Sequence, residues 1–123
     1  MRAGWALPIL FTLSACAPKA EQQATYLDLD CARPFAEQAA AIVAQPQLTH
    51  APEVAAEPYD YYSSTDLRTS YLITKPAAPA HPAILMQKAH EGVHDSGCAY
   101  GDKKAYAELL AYLDSLKSWR RKP

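Results

Sequence analysis

The chain has no surplus of positive charge. Twelve Lys and Arg face thirteen Asp and Glu, for a formal net charge of −1 over 123 residues. Composition therefore offers no footprint for a nucleic-acid partner. No apolar run reaches the ~20 residues that a transmembrane helix requires; the strongest, Trp5 to Leu13, falls well short. Glycine occurs only four times, and neither a Gly-rich phosphate loop nor a G-x-S-x-G element is present. The three cysteines include no C-x-x-C pair, which argues against a dithiol redox motif. There is no internal repeat. The length suffices for one domain.

The N-terminus is informative. Arg2 supplies a positive start, Trp5 to Leu13 (WALPILFTL) an apolar segment, and Leu13-Ser14-Ala15-Cys16 two small residues between a leucine and a cysteine. This order and position resemble the lipobox of bacterial lipoproteins. The resemblance implies a signal peptide at residues 1–15, cleavage before Cys16, and acylation of Cys16 with palmitate-type chains. Several acyl chains hold a protein firmly, since each buried CH₂ contributes roughly 0.8 kcal/mol. Ala17, where an aspartate would favour inner-membrane retention, points to the outer membrane and a periplasm-facing domain. Residues 16–27 then form the lipidated N-terminus and tether, and residues 28–123 one small domain. Segments 70–84 and 97–106 resemble small proteobacterial envelope lipoproteins, a likeness that implies no activity.

With Cys16 acylated, Cys31 and Cys98 remain. An exported chain folds in an oxidising compartment, so one disulfide between them is expected. Two free thiols with a redox role are the alternative.

Hydrophobic periodicity suggests an α+β fold: a small antiparallel sheet of two or three strands packed by an N-terminal helix and a C-terminal amphipathic helix. The first helix is expected between Asp28 and Gln45, with Asp30 as cap, Pro34 in its first turn, and Phe35, Ala39, Ile42 and Val43 on one face. Pro46 ends it. Residues 46–62, with three prolines and no clean period, read as a loop whose end carries Tyr59, Tyr61 and Tyr62. Ser63, Ser64 and Thr65 read as a turn. Leu67 to Thr74 alternates as a strand, with Leu67, Thr69, Tyr71 and Ile73 on one face and Arg68 and Ser70 on the other. A proline-rich loop follows at Pro76 to Pro82. Asp102 to Lys117 is the clearest helix, capped by Asp102 and striped by Tyr106, Leu109, Leu110, Leu113 and Leu116. The cations Lys117, Arg120, Arg121 and Lys122 read as its solvated end.

His90-Glu91-Gly92-Val93-His94 has the H-E-x-x-H spacing of a zinc peptidase, and with Gly97 it resembles the metzincin motif. That resemblance implies His90 and His94 as zinc ligands on one helix face and Glu91 as general base. Three departures weigh against it. The long motif places its third ligand at position 100, which is Tyr100; no Met-turn follows; and for the thermolysin-like alternative, which needs a downstream glutamate, only Glu108 remains, on the solvent side of the last helix. His50 or His81 could complete a site, but nothing in the pattern places them there. The same letters also suit a hairpin: a strand from Ala83 to His90, a turn at Glu91-Gly92, and a return strand from Val93 that ends near Cys98.

The expectation is accordingly a lipid-anchored cell-envelope protein, a non-catalytic binding or structural module without cofactor. It meets the membrane through its N-terminal lipid and contacts an envelope protein or small ligand, with the tyrosine cluster and the proline-rich loop as contact surfaces. The rival is a zinc-dependent hydrolase built on His90, Glu91 and His94.

Overall fold

A computed structural model describes residues 26–89 and 92–115. The lipobox with Cys16, the motif residues His90 and Glu91, Leu116 and the basic C-terminal residues lie outside the described residues. Seven elements follow in chain order: α1 (Phe35–Val43), β1 (Leu48–His50), β2 (Tyr59–Ser64), β3 (Thr69–Thr74), β4 (Ala83–Ala89), β5 (Val93–Ala99) and α2 (Lys103–Ser115). The strands form one sheet in the order β1-β2-β3-β4-β5, every pair antiparallel. The sheet is thus a meander of short connections.

The class is α+β as expected, but the sheet has five strands where two or three were expected. The difference comes from residues 46–62. Pro46 stands before β1, and Pro52 and Pro58 lie between β1 and β2. Proline cannot donate to a ladder, so it punctuates strands rather than excluding them. Ser63 and Ser64 also belong to β2, and the turn follows at residues 65–68. There Leu67 N donates to Ser64 O, Ser64 Oγ donates to Asp66 Oδ1 (2.7 Å), and Arg68 N donates to the same carboxylate oxygen. Those bonds hold the Asp66 carboxyl below the usual range, the Ser64 hydroxyl first. Leu67 sits in this turn at φ 62° and is exposed, not on the strand face to which alternation assigned it.

Side-chain alternation splits the core in two. On one face Leu72 and Leu85 meet Leu109 and Leu113 of α2. On the other, Tyr71, Ile73, Ile84 and Met86 meet Ile42 of α1. Because each face has a helix, β3 is buried on both: Ser70 and Leu72 are as enclosed as Tyr71. Full burial of each such aliphatic side chain contributes roughly 1.5–3 kcal/mol. Asp102 caps α2 as expected, its Oδ2 accepting Ala105 N at 2.7 Å.

Asp30 plays a different part from the cap expected of it. It closes a turn, its Oδ1 accepting Ala32 N and its carbonyl accepting Arg33 N; Pro34, extended at ψ 147°, precedes the helix. Val43 is exposed, and Gln38 is buried instead. Gln38 is fully engaged: its Oε1 accepts Asp30 N (2.6 Å) and its Nε2 donates to Tyr100 OH (2.6 Å), which donates to Arg33 O. A buried amide so paired avoids the desolvation cost of an orphaned polar group. Contacts reach back to Tyr26 and Leu27: Tyr71 OH donates to Leu27 O (2.6 Å) and Leu27 N donates to Gln45 Oε1.

Cys31 and Cys98 form a disulfide, with Cα atoms 5.2 Å apart. It ties the segment before α1 to β5, closing a loop of 67 residues. In the chain-entropy model such a loop contributes about 4 kcal/mol.

Candidate functional site: a tyrosine groove between two proline-rich loops

Two surfaces singled out in the sequence meet in space. Tyr59 and Tyr61 alternate to the α2 face, where their rings make an edge-on pair with centroids 6.4 Å apart. Tyr62 turns to the α1 face and stacks on His50. The tyrosines therefore divide between the two sides of the sheet, as period-2 alternation dictates, and form no single patch.

Tyr59 is half-buried at the mouth of the α2 face. A hollow of about 300 Å³ lies beside it, walled by Ala55, Ala56, Glu57, Pro58 and Tyr112. A second, of about 150 Å³, lies on its other side, walled by Pro79, Ala80, Ala105, Glu108, Leu109 and Tyr112. Tyr59 and Tyr112 line both hollows, and the two Pro-rich loops before β2 and before β4 supply the outer walls. Tyr112 is 47% exposed and escaped the sequence reading, because it falls beside the leucine stripe of α2 rather than on it. Its signal was available: it is an aromatic one turn from Leu109.

Chemically the groove is apolar and aromatic with two carboxylates at its rim. Burial, followed by Tyr112 and Glu57, raises the Tyr59 phenol above its ordinary pKa, so it stays a neutral hydrogen-bond donor at neutral pH. Burial first, then Glu57, pushes Tyr61 up further still. Glu108 is exposed and pairs with Lys104 along α2 at 3.7 Å. Among the described residues, no nucleophile with a base partner lines these hollows.

The described part of the H-E-x-x-H segment, Gly92 to His94, is not helical. His94 lies on β5, exposed, opposite Lys88 of β4. Gly92, at φ +109°, sits in the turn between the strands. The hairpin alternative is thus the one adopted over the described residues, and His94 lacks the one-turn helical environment that the motif uses. His50 and His81 are not gathered to it. His50 is on β1, at the opposite edge of the sheet, about 19 Å away at four strand spacings. His81 is held by Thr74, its Nδ1 2.9 Å from Oγ1 and 3.1 Å from the carbonyl oxygen, with Phe35 edge-on to its ring.

A larger hollow, about 550 Å³, separates the β4–β5 hairpin from the end of α2. Leu85, Gln87, Val93, Asp95, Leu110 and Leu113 are among its walls.

No helix among the described residues is long and apolar enough to cross a membrane. No family model, curated protein or solved structure matches the chain.

Proposed function

We propose that this chain is a small lipid-anchored protein of the bacterial cell envelope that works by binding, without catalysis, through the groove at Tyr59 and Tyr112. The observation that carries the binding half is the convergence of two proline-rich loops on two aromatic rings. Tyrosines offer large contact area at low entropic cost together with a hydroxyl donor. The rim carboxylates of Glu57 and Glu108 favour a partner segment with a basic residue. An extended peptide carrying apolar or proline side chains and a Lys or Arg is the chemistry that suits this surface.

The anchoring half rests on Leu13-Ser14-Ala15-Cys16. The Cys31–Cys98 disulfide supports the same reading, because such bonds persist in oxidising compartments. Outer-membrane attachment facing the periplasm follows from Ala17. For the zinc-hydrolase reading, no third ligand is gathered to His94 among the described residues.

Two measurements test the proposal. Metabolic labelling with palmitate should mark the wild-type chain and not Cys16→Ser. Titration of the protein with proline-rich basic peptides should shift the NMR signals of Tyr59 and Tyr112 saturably, and Tyr112→Ala should weaken the effect by about tenfold, the loss of one aromatic anchor. Unlabelled wild type would defeat the anchor. Absence of saturable shifts, or zinc-dependent peptide hydrolysis abolished by Glu91→Gln, would defeat the binding reading.

A further inference from the structure

At the β1 edge of the sheet, on the α1 face and away from the tyrosine groove, four polar side chains converge. His50 closes β1 and pairs with Tyr62 across the ladder. Its imidazole stacks on the Tyr62 ring, with centroids 4.6 Å apart and planes within 15°. This stacking aims Nε2 at Asp60, whose Oδ1 lies 3.0 Å away. Asp60 is held in β2 opposite Ile73. Glu53, from the loop after β1, reaches the same place, and one donor atom from each of His50, Glu53 and Asp60 falls within 4.8 Å of the others. Among the described residues this is the one such group. Lys75, just past β3, fills the gap between the carboxylates: its Nζ lies 3.0 Å from Glu53 Oε1 and 3.8 Å from Asp60 Oδ1.

We propose that His50, Glu53 and Asp60 form a binding site for a divalent transition-metal cation of the zinc class, with Lys75 as the built-in cation that the metal displaces. One imidazole nitrogen and two carboxylate oxygens are a donor set that zinc accepts, with the fourth position left to water. Tetrahedral bonds of about 2.1 Å set donors roughly 3.4 Å apart. The His50–Asp60 pair already stands near that spacing, and its two residues come from hydrogen-bonded neighbouring strands, so little ordering remains to be done. Glu53 has 60% of its side chain exposed and can close the remaining distance by rotating.

Lys75 belongs to the same cluster and shows its charge balance. An ammonium lodged between two carboxylates marks where the fold stabilises positive charge. Two carboxylates against one ammonium leave an uncompensated negative charge; a dication with Lys75 swung into solvent balances the pair. The site is distinct from His94, which lies on the opposite edge strand, and it does not depend on the groove's being a binding surface.

The test is calorimetric titration of the purified, untagged full-length protein in detergent with zinc chloride alone. One equivalent should bind. His50→Ala and Asp60→Asn should each weaken binding by tenfold or more, and Lys75→Met should tighten it roughly tenfold by removing the competing cation. His94→Ala should leave it unchanged. Thermal unfolding of each variant without metal verifies that the fold is retained, and Lys75→Met supplies a readout that a merely structural ion pair would not give. Zinc binding that is insensitive to His50→Ala, or lost in His94→Ala, overturns the site. So does absence of binding by the natural chain, even if Lys75→Met takes up zinc.

Discussion

Gly97 shows how one missing side chain shapes this molecule. It lies on β5 facing α2, and a Cβ there would collide with the Tyr106 hydroxyl and stand 3.3 Å from the Ile84 carbonyl oxygen. Tyr106 therefore crosses β5 where only hydrogen fits. Gly97→Ala should cost about 2 kcal/mol, a typical overpacking penalty, read as a lowered denaturant midpoint. Combined with Tyr106→Ala, the loss should be less than additive, because the clash disappears with the ring. Leu67 is the opposite case. At φ 62° a leucine is strained by roughly 1–2 kcal/mol, and its exposed side chain is spared deep packing. Leu67→Gly should raise stability by about 1 kcal/mol, the relief being partly offset by the freer unfolded chain. The alternation rule put Leu67 on a strand face because it counts apolar letters and is blind to φ. By contrast Asp102 was legible, since capping depends only on a short side chain and its local backbone.

Among the elements, β2 and β3 carry half-buried and buried phenols whose acidity the fold suppresses. Burial is the first cause at Tyr61, Tyr62, Tyr71 and Tyr106 as at Tyr59. Asp60 and Glu53 add to it at Tyr62, Asp95 adds to it at Tyr106, and the Gln45 hydrogen bond opposes it at Tyr71. A phenol whose folded pKa is raised contributes stability that is complete below its unfolded value near pH 10, and that is lost as pH climbs from there through the folded pKa. Alkaline titration should thus show tyrosinate absorbance from these five rings rising together with loss of circular dichroism, not before it. Reversible ionisation of all eight tyrosines near pH 10 with the fold intact would contradict this. The strands themselves were only partly visible. β4 and β5 emerged as the hairpin alternative and α2 as a clear amphipathic helix, because each has a local pattern. β1 and β2 were both hidden, within what reads as a proline-rich loop and a polar turn; prolines mark where ladders stop but not that short ladders lie between them.

At the scale of the whole molecule, the disulfide is the main covalent brace. Replacing both cysteines, Cys31→Ser with Cys98→Ser, should lower unfolding free energy by about 4 kcal/mol, measured by denaturant titration against the oxidised chain. An unchanged midpoint would mean that the bridge adds nothing to a fold already held by its two cores. That loss is large beside the 5–15 kcal/mol of a typical domain, so reducing agents alone should destabilise the protein. The pairing of Cys31 with Cys98 was deducible once Cys16 was set aside, since two cysteines allow one bridge. The sequence by itself determined the α+β class, the C-terminal helix with its cap, and the disulfide partners, because each depends on local spacing or simple counting. Only the tertiary structure decided the five-stranded meander, the helix on each face, the meeting of Tyr59 with Tyr112, and the gathering of His50, Glu53, Asp60 and Lys75. Those are contacts between residues far apart in the chain, and strand register, which no single segment encodes, is what brings them together.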